Sequence, residues 1–415
     1  MKERKVSLVT VLCLVLLTVA VTFPVTLALS TNLYNTRIKD LYNRQSMYAE
    51  IEEVDRLVRY NTIMKTTDEK LLIGMIEGYL AGTGDTQARY YSQQENALRL
   101  TEAQGTGIGL GLFAIGDNAG YYRVYEVLTG SGAEAAGVLV GDTVSTVDGR
   151  DVKGLSAAEF SKLVSGTEGQ AVSLGLYRNG EPIVVSAVCQ TYTRPSVTYE
   201  VRNRYYGYIR ISSLNGNAAT QFERAAENLN ASGVEGFIID LRHTAGGSYE
   251  QAAAIVDSIV GAGDVMSVTD GEGRTEILYS SLANEFDKPV VRLVDEKTSG
   301  PAELIAAAIR DYKKGELVGA KTAGVGGFLE YFTLSDGSVV RLTTAIVNAP
   351  KSGTFDGVGV KVGYEVKQTD SSDFAFYTHT AENDAQYKKA QEIADAQIDW
   401  SQVTVPVVSE PAILP

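Results

Sequence analysis

The stretch Val290–Glu330 leaves the chain few folds to choose from. It opens on Val290–Val294, a short β-branched apolar run of the kind that forms a buried strand. Asp295–Gly300 is a polar turn. Pro301 suits the first turn of a helix, and Glu303 puts negative charge where the helix dipole favours it. Ala302–Ile309 is apolar and alanine-rich, which predicts a buried helix. Leu317–Gly319 reads as a further strand and Ala323–Gly327 as a glycine-rich loop. A tight strand-to-helix turn projects one side chain and presents backbone N–H groups to an oxyanion, so this stretch is the natural place for a nucleophile.

With 415 residues the chain has room for two or three domains. Its net charge of −14 excludes nucleic acid as a partner, because phosphate backbones are held by basic patches. It also argues against docking of the soluble part on anionic lipid. There are two cysteines, Cys13 inside an apolar run and Cys189, so no internal disulfide is expected. With two histidines in the whole chain, Cys189 reads as a buried structural thiol rather than a nucleophile. No Cys/His cluster is spaced to hold zinc, and neither a metal nor a cofactor is expected.

Lys2, Arg4 and Lys5 precede Val6–Leu29, a chargeless run longer than the roughly 20 residues that span a bilayer. The basic side predicts a single-pass cell-membrane anchor with a cytoplasmic N-terminus and the rest of the chain extracytoplasmic. A cleaved signal peptide is the alternative, but the context of Ala28 suits cleavage poorly. Residues 36–62 read as a polar helix, serving either as a stalk or homodimerising element or as one more surface helix. Asp68–Leu80 reads as a second, amphipathic helix.

Between Thr106 and Thr191 the pattern turns to short strands. Leu110 and Leu112 alternate, Val124–Leu128 is a strand, Ser156 and Glu159 form a capping box, and Asn179-Gly180 marks a hairpin turn. Within this segment Gly130, Ser131, Ala133, Ala136, Gly137, Val138, Gly141, Asp142, Val147, Asp148, Gly149 and Val152 follow a long pattern that closely resembles a PDZ domain. The resemblance implies capture of protein C-terminal peptides. The loop Gly107-Ile108-Gly109 would offer N–H groups to the terminal carboxylate, and the peptide would add a strand along Leu110, Leu112 and Phe113.

Tyr208–Ile211, a helix at Asn217–Leu229, and Gly236–Leu241 running into Asp240-Leu241-Arg242-His243-Thr244-Ala245-Gly246-Gly247 make an α/β unit. Together with Val290–Glu330 this unit is similar to the carboxyl-terminal processing, or tail-specific, serine proteases of the S41 type. Val294, Thr298, Glu303, Asp311, Gly319, Thr322, Gly324 and Gly326 fall on that family's pattern without a gap. Asp240, Leu241, Arg242, Gly246 and Gly247 match its second motif, where Gly246 supplies an oxyanion N–H; Thr244 and Ala245 depart from it. The resemblance implies an α/β fold with a mixed-sheet protease-like core of the ClpP/crotonase kind, an inserted β-rich PDZ domain and an N-terminal transmembrane helix. The implied division is 1–30 anchor, 31–100 helical region, 101–192 PDZ domain, 193–395 core and 396–415 tail.

The catalytic positions depart from the pattern. The family's nucleophilic Ser is Gly300, its general-base Lys is Val325, and its orienting Gln is Leu329. Dyad members act as a unit, so their joint loss predicts a non-catalytic relative rather than a weakened enzyme. The alternative keeps an active serine endopeptidase with Ser299 as a displaced nucleophile and Lys321 or Lys297 as base. Against it, Ser299 or Thr298 could simply cap the helix and both lysines could be solvated. His243 invites a triad, but it reads better as a solvent-facing or capping side chain.

Overall fold

The computed structural model describes residues 45–282, 286–368, 370, 372–401 and 403. The chain forms two compact units, residues 1–75 and 76–415. In the first, residues 45–61 are helical, and Tyr48, Val54, Leu57 and Tyr60 are exposed on it. The expected anchor Val6–Leu29 lies outside the described residues. Among those described, no helix is long and apolar enough to cross a membrane.

The second unit is built on a six-stranded mixed sheet. Its order is Val197–Arg202, Tyr206–Ile211, Gly236–Asp240, Val290–Val294, Glu316–Gly319, Tyr364–Glu365. The first pair is antiparallel and every later pair parallel. Residues alternate between the faces, so Phe237 and Ile239 enter one apolar layer while Ile238 enters the other. Helices Ala218–Ala231, Tyr249–Asp257 and Pro301–Asp311 cover the first face, and Ala385–Asp395 covers the second through Tyr387, Ala390 and Ile393. The helix at Pro301–Asp311 is buried from Pro301 to Ile309, as its composition requires.

A second sheet, all antiparallel, joins Val339–Ala349 to Gly263–Asp270, Gly327–Thr333 and Arg89–Tyr91. Within the region 31–100, where 45–61, Asp68–Ala81 and Gln93–Ala103 are helical, Arg89–Tyr91 is a strand. Its tyrosines are buried and pair with Val339–Arg341 far along the chain, a partnership that no local pattern announces.

The PDZ sheet runs Leu112–Gly116, Tyr122–Val127, Thr143–Val147, Ala171–Arg178, Glu181–Val188. Asn179 and Gly180 both have positive φ, as a two-residue hairpin demands, and Ser156 with Glu159 completes the capping box on Ala157–Val164. Chain entry and exit are spliced by a two-stranded ribbon, Thr106–Gly109 against Gln190–Thr193. The domain is therefore inserted between Arg89–Tyr91, which belongs to the core sheet, and the core strands after Val197. Cys189 is fully buried against this domain, and burial pushes its thiol up, as a structural cysteine requires.

Candidate functional site

Strand Val290–Val294 delivers the chain to a turn organised by one carboxylate. Asp295 accepts hydrogen bonds from the backbone N–H groups of Thr298 (2.9 Å), His243 (3.0 Å) and Lys297 (3.1 Å). Ser299 N–H then donates to Thr244 O at 3.0 Å, splicing this turn to the one after Asp240. Gly300 caps the following helix with φ 63° and ψ −124°, a strained strand-to-helix elbow that glycine adopts most easily. A Cβ built there finds open space, its nearest neighbour being Val325 O at 3.9 Å. Positions 300 and 325, where the family pattern has its nucleophile and base, thus lie close together.

Glu303 holds the glycine-rich loop in place. Its buried carboxylate accepts from Gly300 N (3.0 Å), Gly324 N (2.8 Å), Val325 N (2.7 Å) and the Thr322 hydroxyl. The acid at the helix start therefore does more than answer the dipole. Leu329 lies in strand Gly327–Thr333 opposite Thr343, just past a bulge.

The fallback residues are not assembled. Ser299 is half-buried, and among the described residues its hydroxyl makes no hydrogen bond, to a lysine or to anything else. Neither it nor Thr298 caps the helix, contrary to the sequence expectation: Thr298 is turned inward, 2.9 Å from Leu241 O. Lys321 is exposed and makes no hydrogen bond or ion pair among the described residues. Lys297 pairs with Asp373.

The opposing turn is locked by a buried charge cluster. Arg242 bridges Asp240 (2.6 Å) and Asp384 (2.7 Å), and the Tyr208 hydroxyl donates to Asp240 at 2.6 Å. Burial alone would push the Asp240 carboxyl up, but Arg242 and Arg210 hold it well below the usual carboxylate range. Beyond the cluster, the N–H groups of Ala245, Gly246 and Gly247 have no acceptor among the described residues, and the space above Gly246 is open. In the nucleophile elbow of α/β-hydrolases, one oxyanion donor is the N–H of the residue after the nucleophile. Here that residue is Pro301, which has no N–H. The sequence displayed this proline openly; reading it only as a helix-start signal hid what it removes from the elbow.

His243 is the residue that sequence reasoning placed wrongly. It is neither solvent-facing nor a cap. Its φ is 55°, its Nδ1 lies 2.5 Å from Asp295 Oδ2, and its ring stacks on Phe376 at 3.9 Å. Asp295 is held below the ordinary range although burial works against it, because His243 faces it. The ring nitrogens are buried, so His243 presents no open base to Ser299.

In the PDZ domain the expected donors are rearranged. Gly107, Ile108 and Gly109 lie in a strand paired with Gln190–Tyr192 rather than in a loop. A Cβ at Gly107 would meet the Tyr192 ring at 2.6 Å and one at Gly109 would meet Val164 O at 2.9 Å, so close packing explains both glycines. Leu110 N–H donates to Val164 O at 3.0 Å. Gly111, at φ 72°, has an N–H with no acceptor among the described residues. Leu112–Gly116 follows as the edge strand, paired among the described residues only with Tyr122–Val127, and it lies beside helix Ala157–Val164.

Comparison with known proteins finds relatives of both the core and the PDZ domain. The model for peptidase family S41 matches residues 205–366, and that for the PDZ domain matches 123–178. The chain is 30% identical to the carboxy-terminal processing protease CtpA of Bacillus subtilis (strain 168), over 80% of this chain and 72% of that one. It is 27% identical to the carboxyl-terminal-processing protease of Synechocystis sp., over 86% and 83% of the two chains. Among solved structures, the photosystem II D1 C-terminal processing protease superposes with a TM-score of 0.51 at 26% identity, covering 76% of this chain and 86% of the other.

Proposed function

The chain belongs to peptidase family S41, beside the carboxyl-terminal processing proteases, and from that premise we propose that it captures the C-terminal tails of exported proteins without cutting them. The observation that carries the proposal is the pairing of a free PDZ edge with an elbow that lacks its chemistry. Gly300 brings no hydroxyl, Val325 no amine, Leu329 no amide, and Pro301 no N–H. A tail would add a strand along Leu112–Gly116, with its carboxylate at the Gly111 N–H. The run Val6–Leu29 would hold the protein in the cell membrane with these domains on the extracytoplasmic side. Titrating the purified full chain with tail peptides tests the reading. Free-acid peptides should bind about tenfold or more tighter than their amidated counterparts; equal affinities remove carboxylate capture.

A second reading, an active endopeptidase with Ser299 as nucleophile, draws on the protease relatives, the retained elbow and an uncommitted Ser299 hydroxyl beside it. It requires a base to reach Ser299, which neither Lys321 nor Lys297 does. Cleavage of an unstructured protein by the wild type, lost in Ser299→Ala, would establish it and overturn the non-catalytic reading.

A further inference from the structure

Three arginines gather on the second sheet with no carboxylate paired to any of them. Strand Arg89–Tyr91 lies against Val339–Ala349, which lies against Gly327–Thr333, and the register sets Arg89, Arg341 and Tyr331 side by side in one row. Residues directly opposite share a face of the sheet, so Arg89 and Arg341 project to the same side. Tyr91, two residues beyond Arg89, is on that face too. Its ring centre lies 4.9 Å from the Arg89 guanidinium and 5.8 Å from that of Arg341. Helix Gln93–Ala103 brings the third cation. Arg99 stands 5.8 Å from the same ring centre and 4.0 Å over Tyr331.

The chain has 51 acidic residues against 37 Lys and Arg, so cations left without a carboxylate are unexpected in it. None of the three forms an ion pair among the described residues. The carboxylates in reach are committed elsewhere. Arg89 favours the charged form of Glu95, but that carboxylate closes the capping box on Ser92. Asp85 accepts the backbone N–H groups of Thr343 and Gln87, each at 2.8 Å. Donors remain on all three guanidinium groups. Arg341 uses Nε on Gln87 O at 2.9 Å, Arg99 uses Nε and one terminal nitrogen on Asn96 Oδ1, and Arg89 makes no side-chain hydrogen bond among the described residues. Like charges directly opposite each other destabilise an antiparallel pair, and the tyrosine faces attract these cations without neutralising them.

We propose that Arg89, Arg341 and Arg99 form a binding site for a phosphate group, free or carried as a small monoester. A carboxylate has one charge and two oxygens, enough for a single guanidinium fork. A phosphate carries close to two charges at neutral pH and three strong acceptor oxygens, one for each arginine. Once bound, it would relieve the Arg89–Arg341 repulsion and tie both strands to helix Gln93–Ala103. The site shares no residue with the PDZ edge or with the elbow.

Isothermal titration of the purified full chain with inorganic phosphate, in a chloride buffer of fixed ionic strength, tests the site. Saturable binding is expected, and Arg89→Gln and Arg341→Gln should each weaken it about tenfold or more. Acetate should bind at least about tenfold more weakly than phosphate. Glycerol 3-phosphate separates the two sources: tighter binding than inorganic phosphate assigns the site to a monoester, and weaker binding assigns it to the free ion. Urea unfolding gives an independent reading, because low-millimolar phosphate should raise the wild-type midpoint and leave both variants where they were. A wild-type titration without saturation overturns the site. So does binding that survives both substitutions, acetate that binds as tightly as phosphate, or a midpoint that phosphate raises equally in all three proteins.

Discussion

Glu303 accepts a hydrogen bond from the backbone N–H of Val325 at 2.7 Å, so a side chain at a helix start fixes the loop that faces the elbow. Three further donors converge on the same buried carboxylate, from Gly300, Gly324 and Thr322. Glu303→Gln would turn one acceptor oxygen into a donor among donors. We expect a loss of about 3 kcal/mol, read as a lowered denaturation midpoint. A change under about 1 kcal/mol would mean the loop is held by other contacts.

Restoring the dyad alone should fail. Gly300→Ser, Val325→Lys and Leu329→Gln would supply hydroxyl, amine and amide, with open space for the new Cβ at 300. Pro301 would still withhold one oxyanion donor, and a single such donor is worth about 100- to 1,000-fold in turnover. Adding Pro301→Ala to the triple variant should therefore raise cleavage of an unstructured protein by about that factor. Equal rates for triple and quadruple variants would show that residue 301 does not serve the oxyanion.

Gly300→Ala by itself isolates the elbow's strain. The methyl group meets nothing closer than 3.9 Å, so the cost is that of holding an L-residue at φ 63°, about 1–2 kcal/mol. Chemical denaturation measures it. A neutral substitution would mean that the backbone relaxes out of the elbow.

The Asp240–Arg242–Asp384 cluster predicts acid lability. Both carboxyls are held below their ordinary values although burial works against them, because Arg242 faces each. A carboxyl depressed in the folded state stabilises above its unfolded pKa near 4 and loses that contribution as pH falls through the folded value. Urea midpoints should be flat near neutrality and drop below about pH 4. In Asp384→Asn the protein should be less stable at neutral pH, with a shallower acid drop.

Arg292 is fully buried in the central strand, and burial pushes its guanidinium down to about 9. It donates to Gly315 O and, weakly, to Ala306 O, while Nε has no partner among the described residues. Glu316 is near enough to favour the charge but makes no ion pair with it among the described residues, and a buried cation so placed is costly, so Arg292→Met should stabilise the protein by about 1 kcal/mol or more in the same assay. Destabilisation would show that the two carbonyl contacts outweigh desolvation.

Much of the fold was written locally. The apolar runs Gly236–Asp240 and Val290–Val294, the Ser156–Glu159 capping box and the Asn179-Gly180 turn each depend on residues within a few positions, and each formed as its sequence implies. The family resemblance likewise needed only spacing. What distant contacts decide was not legible. Gly107 looked like a carboxylate loop but is a glycine because Tyr192 packs on it, and the strand at Arg89–Tyr91 exists because Val339–Arg341 lies beside it. His243 looked solvent-facing until the fold set Asp295 and Asp373 at its two nitrogens. Pro301 was plain in the sequence, but only the elbow at Gly300 shows that its missing N–H is the one a nucleophile elbow would use. Local pattern fixes which elements form, because their energetics are set within a turn or two; the environment of a side chain is fixed by whatever the finished packing brings against it.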